Sequence, residues 1–122
     1  MAKAMKRVLL VDDERAILKV LSIKLRISGY DVVTASSGKE ALDVISSAYP
    51  DVMLLDVIMP GMDGFEVLEK LRTSSELPII VFSARPENAQ KAIELGANDF
   101  LAKPFNVDEM VGRIENLLSD KA

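Results

Sequence analysis

The sequence contains no cysteine and no histidine. Without cysteine there is no disulfide, no thiolate nucleophile and no zinc–sulfur centre. Without histidine the usual general base, the Ser–His triad and the commonest transition-metal ligand are excluded as well. Tryptophan is absent too, so Tyr30, Tyr49 and four phenylalanines supply all the aromatic surface. Long apolar runs are missing: each run is short and broken by charges, and none reaches the roughly 18 residues a membrane-spanning helix requires. Nor is there an excess of positive charge. Fifteen Lys and Arg against 19 Asp and Glu leave a net charge of −4, which suits neither nucleic acid nor anionic lipid as a direct partner. Chemistry in this chain falls to carboxylates, hydroxyls, lysines and a hard metal ion.

What is present describes a globular chain. At 122 residues, 49% apolar and 28% charged, it has the size and composition of one domain with a core of its own. No linker-like or low-complexity stretch interrupts it, so a single domain is expected over residues 1–122, with its core at about 6–118. The stretch Met1 to Lys6 is short and basic and carries no secretory signal, which makes the cytoplasm the expected location.

Strand-length apolar runs recur at Val8–Val11, Val32–Ala35, Val52–Leu55, Ile79–Phe82 and Phe100–Ala102. Segments with helical spacing lie between them. The first runs from Arg15 to Ile27, with Ile17, Leu18, Leu21 and Leu25 on one stripe and Gly29 as a left-handed stop. The second follows Ser37, which with Glu40 reads as a capping box. A third spans Gly64 to Arg72, and a fourth starts near Pro86 and stops at Gly96. The last opens at Asn106 with Glu109 in the capping position. Gly112 sits inside this last pattern, either as a tolerated surface glycine or where a partner approaches closely. Five strand–helix repeats with near-continuous apolar strands predict an α/β fold: a doubly wound parallel sheet covered by helices on both faces.

In such sheets the ligand site lies beyond the carboxyl ends of the strands. Strand one ends in Asp12-Asp13-Glu14, strand three in Asp56, strand four in Ser83-Ala84 and strand five in Lys103-Pro104. Strand two ends in Ala35-Ser36 and offers nothing reactive. The order 2-1-3-4-5, taken from flavodoxin-like folds by analogy, would bring all the reactive ends together. Converging carboxylates repel one another and resist ionising without a counter-charge. Oxygen-only ligands select Mg²⁺ or Mn²⁺, and a phosphoryl group is the natural guest beside such a metal and a lysine. Its acceptor must then be an oxygen, and a strand-end carboxylate can form an acyl phosphate. Read alone, Asp12 and Asp13 would equally suit the start of the first helix, and Phe100 would suit a strand's core face.

The run Val8-Leu9-Leu10-Val11-Asp12-Asp13, the stretch Leu54-Leu55-Asp56-Val57-Ile58-Met59-Pro60-Gly61-Met62-Asp63-Gly64, the pair Ser83-Ala84 and the triplet Lys103-Pro104-Phe105 stand in one order and spacing. Together they resemble the receiver domain of two-component response regulators, of which the chemotaxis receivers are members, from Lys6 to Leu118. The resemblance implies that Asp56 accepts a phosphoryl group from a sensor histidine kinase or a histidine phosphotransfer protein. It further implies Asp13 as a direct Mg²⁺ ligand, Asp12 as one acting chiefly through water, and the main-chain carbonyl of Ile58 as a third contribution beside Asp56. Lys103, Ser83 and the backbone N–H of Ala84 would meet the phosphoryl oxygens, and Ser83 and Phe100 would form the switch. The Lys103–Pro104 bond is expected to be cis, and the fourth helix, fifth strand and fifth helix to face a downstream output protein or domain. Such a module works only on itself and is not an enzyme with a separate substrate. Two other classes share parts of the pattern. A haloacid-dehalogenase-type phosphatase also uses a strand-end aspartate but needs a second acid where Ile58 stands, and a flavodoxin-like flavin carrier would have its phosphate repelled by Asp12-Asp13-Glu14.

Overall fold

A computed structural model describes residues 5–119. Its elements alternate as the apolar runs require: β1 (Arg7–Val11), α1 (Arg15–Ile27), β2 (Asp31–Ala35), α2 (Gly38–Ala48), β3 (Val52–Asp56), α3 (Gly64–Arg72), β4 (Ile79–Ser83), α4 (Asn88–Glu94), β5 (Asp99–Ala102) and α5 (Val107–Ser119). The strands form one parallel sheet in the order β2-β1-β3-β4-β5. The doubly wound five-stranded fold expected from the sequence is therefore present.

Side-chain alternation along the strands divides the core in two. Leu9, Val11, Met53, Leu55, Ile79 and Val81 point to the face covered by α2, α3 and α4. Val8, Leu10, Val52, Leu54, Ile80 and Phe82 point to the face covered by α1 and α5. Both faces of β3 and β4 are buried, which explains why these strands read as unbroken apolar runs. Every strand extends one residue beyond its apolar run, because the ladder bonds belong to the backbone and accept Arg7, Asp31, Asp56, Ser83 and Asp99 at strand ends.

The helix ends are only partly those the sequence suggests. Gly29 and Gly96 adopt φ of +100° and +111° and stop their segments as expected. Ser37 accepts the N–H of Glu40, but the Glu40 carboxylate returns to the N–H of Ser36 at 2.6 Å, one residue before the cap. Asn106 likewise caps α5 through the N–H of Glu109, whose carboxylate turns instead to Arg113. The complete reciprocal box is at Asp63 and Glu66, where the sequence reading did not place one. The fourth helix begins at Asn88 and not near Pro86. Pro86 lies in a turn closed by Arg85 O to Asn88 N and Pro86 O to Ala89 N, three-residue spacings that precede the true α-helix.

Gly64 opens α3 directly against the end of β3. A Cβ there would sit 2.5 Å from the Cα of Val57, against backbone that has nowhere to move. A Cβ on Gly112 would meet nothing within 4 Å, so within this chain its place in α5 carries the helix-propensity cost of glycine and no packing need. The expected outcome is opposite signs for one chemical change. Gly112→Ala should raise unfolding stability by about 0.5–1 kcal/mol, and Gly64→Ala should lower it by about 1–3 kcal/mol or more. Denaturant midpoints measure both; equal shifts would contradict the placement of α3.

Candidate phosphoryl and metal site

The reactive residues meet at the carboxyl ends of β1, β3, β4 and β5. Asp12, just past β1, is fully buried, and Asp56 closes β3 with 3% of its surface exposed. Asp13 is exposed, and ligand atoms of Asp12, Asp13 and Asp56 lie within 4.8 Å of one another. Lys103, just past β5, reaches across the end of β4. Its Nζ lies 3.3 Å from Asp12 Oδ2 and 3.5 Å from Asp56 Oδ2. On the way it passes 4.9 Å from the centroid of the Phe82 ring, which Phe105 braces edge-on at 6.0 Å. The aromatic face supplies a further attraction for the ammonium group.

One local device aims these side chains. Asp12 Oδ1 accepts the N–H of Glu14, and Asp56 Oδ1 accepts the N–H of Ile58, at 2.9 and 3.1 Å. In each case the carboxylate bonds its own backbone two residues on, as aspartate favours at turns. This leaves Oδ2 of both free to face Lys103. Ser83 does the same with its hydroxyl, which accepts the N–H of Arg85 at 3.1 Å.

The remaining expected site residues are distributed around this centre. The backbone of Ile58 lies beside Asp56 while its side chain is 47% exposed. Ser83 is fully buried, and its partners, Arg85 N and Asn88 Nδ2, both lie on the α4 side. Ala84 follows it and is exposed. Phe100 pairs with Val81 across the β4–β5 ladder, half-buried against the α2–α4 side of the core. The Lys103–Pro104 bond is cis, as expected. Asn88, which donates to Ser83 Oγ at 3.0 Å, was not singled out from the sequence. Nor was Phe82 beneath Lys103: a polar residue opening a helix and an aromatic ending a strand give no distinguishing signal.

A family model described as the response regulator receiver domain matches residues 8–115. This chain belongs to that family. The receiver is 43% identical over 115 residues to a probable transcriptional regulator, ycf27, of Cyanophora paradoxa, covering 93% of this chain and 48% of that protein. It thus spans about half the length of the curated relatives it matches. Among solved structures, the Francisella response regulator 1452 receiver domain superposes with a TM-score of 0.90 at 34% identity, covering 96% of this chain and 99% of that one. The response regulator TrrA of Thermotoga maritima, described in complex with Mg²⁺ and BeF, gives 0.87 at 36% identity, covering 93% of this chain and 100% of that one. Among the described residues of the receiver, no helix is long and apolar enough to cross a membrane.

Burial dominates the electrostatics of Asp56. It pushes the carboxyl up to about 6 from an ordinary 3.8, with the nearby Asp12 charge adding to the rise, while the Ile58 N–H and Lys103 oppose it. The folded state therefore holds this proton more tightly than the unfolded chain does. By linkage, the ionised carboxylate costs stability that is recovered as pH falls below the folded value. In metal-free buffer, Asp56→Asn should be more stable than the wild type near neutral pH, by on the order of 2–3 kcal/mol. That advantage should shrink as pH is lowered from about 6 to about 4. A gap independent of pH over that window would show that the carboxylate ionises normally.

Proposed function

We propose that this receiver is a phosphoacceptor module of a two-component pathway, with Asp56 as the acceptor. The observation that carries this reading is three aspartates within 4.8 Å of one another, with a single lysine bridging the two buried ones. A carboxylate oxygen of Asp56 forms the new O–P bond as the P–N bond of a donor phosphohistidine breaks, and the electron pair returns to the donor's imidazole nitrogen. Lys103 pairs with the equatorial oxygens, and Ser83 with the backbone N–H of Ala84 donates to them. The chemistry is self-directed: the module acquires and loses its own phosphoryl group and turns over no separate substrate.

The donor set fits a hard divalent cation, because its side chains offer only carboxylate oxygens and Asp13 is open to solvent. Asp13, Asp12, Asp56 and the main-chain carbonyl of Ile58 would hold Mg²⁺ or Mn²⁺. When bound, such an ion neutralises the carboxylates and the incoming phosphoryl oxygens. The Mg²⁺ and BeF described for the Thermotoga relative support this assignment.

A sensor histidine kinase or phosphotransfer protein would supply the phosphoryl group in the cytoplasm. The face formed by α4, β5 and α5 would carry the signal to an output protein or domain, through Ser83 and Phe100. Asp56→Asn should take up no phosphoryl group from acetyl phosphate and Mg²⁺ under conditions that label the wild type. Intact-mass measurement reads this directly; labelling of both proteins would place the acceptor elsewhere.

A further inference from the structure

The helix α4 is seven residues long, buries only Ala92 and has no side-chain cap at its start. Two polar contacts tether it. Lys91 Nζ sits 4.5 Å from the centroid of the Phe65 ring on α3. At the other tether, the side-chain amide of Asn88, the first residue of α4, donates to Ser83 Oγ at 3.0 Å. Asn88 also lines a crevice of about 310 Å³ with Ile58, Met59 and Arg85.

A serine hydroxyl has two lone pairs and one proton. Both acceptor positions of Ser83 are engaged, by Arg85 N and by Asn88 Nδ2. Both partners lie on the α4 side, so movement of the oxygen toward a group on Asp56 lengthens these two bonds. We propose that Asn88 is a positioning residue of the switch: its amide holds Ser83 in the orientation seen here, and through that bond the state of Ser83 sets the anchorage of α4's first turn. This rests on the reading that Asp56 carries the phosphoryl group. Linkage makes the effect reciprocal. A group that draws Ser83 toward Asp56 frees Asn88, and loss of the Asn88 amide eases the movement of Ser83. Lys91 and Ala92 have contacts of their own, so the part of the change that runs through Asn88 falls first on the loop at 84–87 and the first turn of α4.

The test uses the 122-residue chain in four forms: wild type, Asn88→Ala, Ser83→Ala and the double variant. Amide shifts and hydrogen exchange are followed with and without Mg²⁺ and beryllofluoride. Without beryllofluoride, Asn88→Ala should accelerate exchange of the Ala89–Lys91 amides about two- to tenfold, the range one side-chain hydrogen bond supports. Its shifts should move toward those that beryllofluoride induces in the wild type, and half-saturation should fall by a similar factor. In the Ser83→Ala background, Asn88→Ala should add nothing. An equal effect in both backgrounds, or none in either, would overturn the proposal. A wild type that ignores beryllofluoride would overturn the phosphoacceptor reading instead, while the comparison of backgrounds without it still decides whether Asn88 acts through Ser83.

Discussion

Lys103 sets one ammonium group against two buried carboxylates, and the active end of the sheet is organised around that imbalance. Asp12, just past β1, and Asp56, at the end of the neighbouring β3, are both almost wholly buried. Two anions so placed repel each other and lose hydration together, a cost that a lone shared cation only partly offsets. Lys103 meets them from beyond β4, its charge resting over Phe82. The strand order makes this reach possible: β4 lies between the strand that ends in Asp56 and the strand that leads to Lys103, and its Phe82 ring forms the floor. Burial first, and the neighbouring Asp12 charge second, raise the Asp56 carboxyl above its ordinary value, and the residual negative charge is of the kind a divalent cation offsets.

A second regularity is the repetition of one turn device at three strand ends. Asp12, Asp56 and Ser83 each accept the backbone N–H two residues on. For the aspartates this fixes one oxygen and leaves the other for Lys103. For the serine it occupies one lone pair and leaves the second for Asn88. The same geometry therefore turns two carboxylates toward Lys103 on one side and a hydroxyl toward α4 on the other. Ser83 thus joins the strand ends that carry the aspartates and the lysine to the first residue of α4.

The fold was legible because its signal is redundant. Each strand is an apolar run, each run is followed by a helical stripe, and glycines at 29 and 96 punctuate the pattern with positive φ. The strand order was not legible from the residues, since β1 and β3 look alike to any pairing argument; it came by analogy. Asp12, Asp13, Asp56 and Lys103 stood out because charge at the end of an apolar strand is costly unless used. The cap contacts were less legible. Glu40 could reach either Ser36 or Ser37, and only the local chain path selects between them. Pro86 suits a first helical turn, but the chain there closes in a tighter turn and α4 starts two residues later. Asn88 was invisible for the same reason: its partner is close in space through a loop whose shape the sequence does not specify.

The account's central claim is that the three aspartates form one under-neutralised cluster. Thermal unfolding of the wild type and Asp13→Asn, each in chelator and across a Mg²⁺ titration, tests it most directly. Removing the Asp13 charge should raise the melting temperature in chelator, because repulsion is relieved. The wild type should then gain stability with Mg²⁺ by mass action while the variant responds far less, closing or reversing the gap. If Asp13→Asn melts at or below the wild type in chelator, and both respond equally to Mg²⁺, the cluster is not the charge-strained metal site described here.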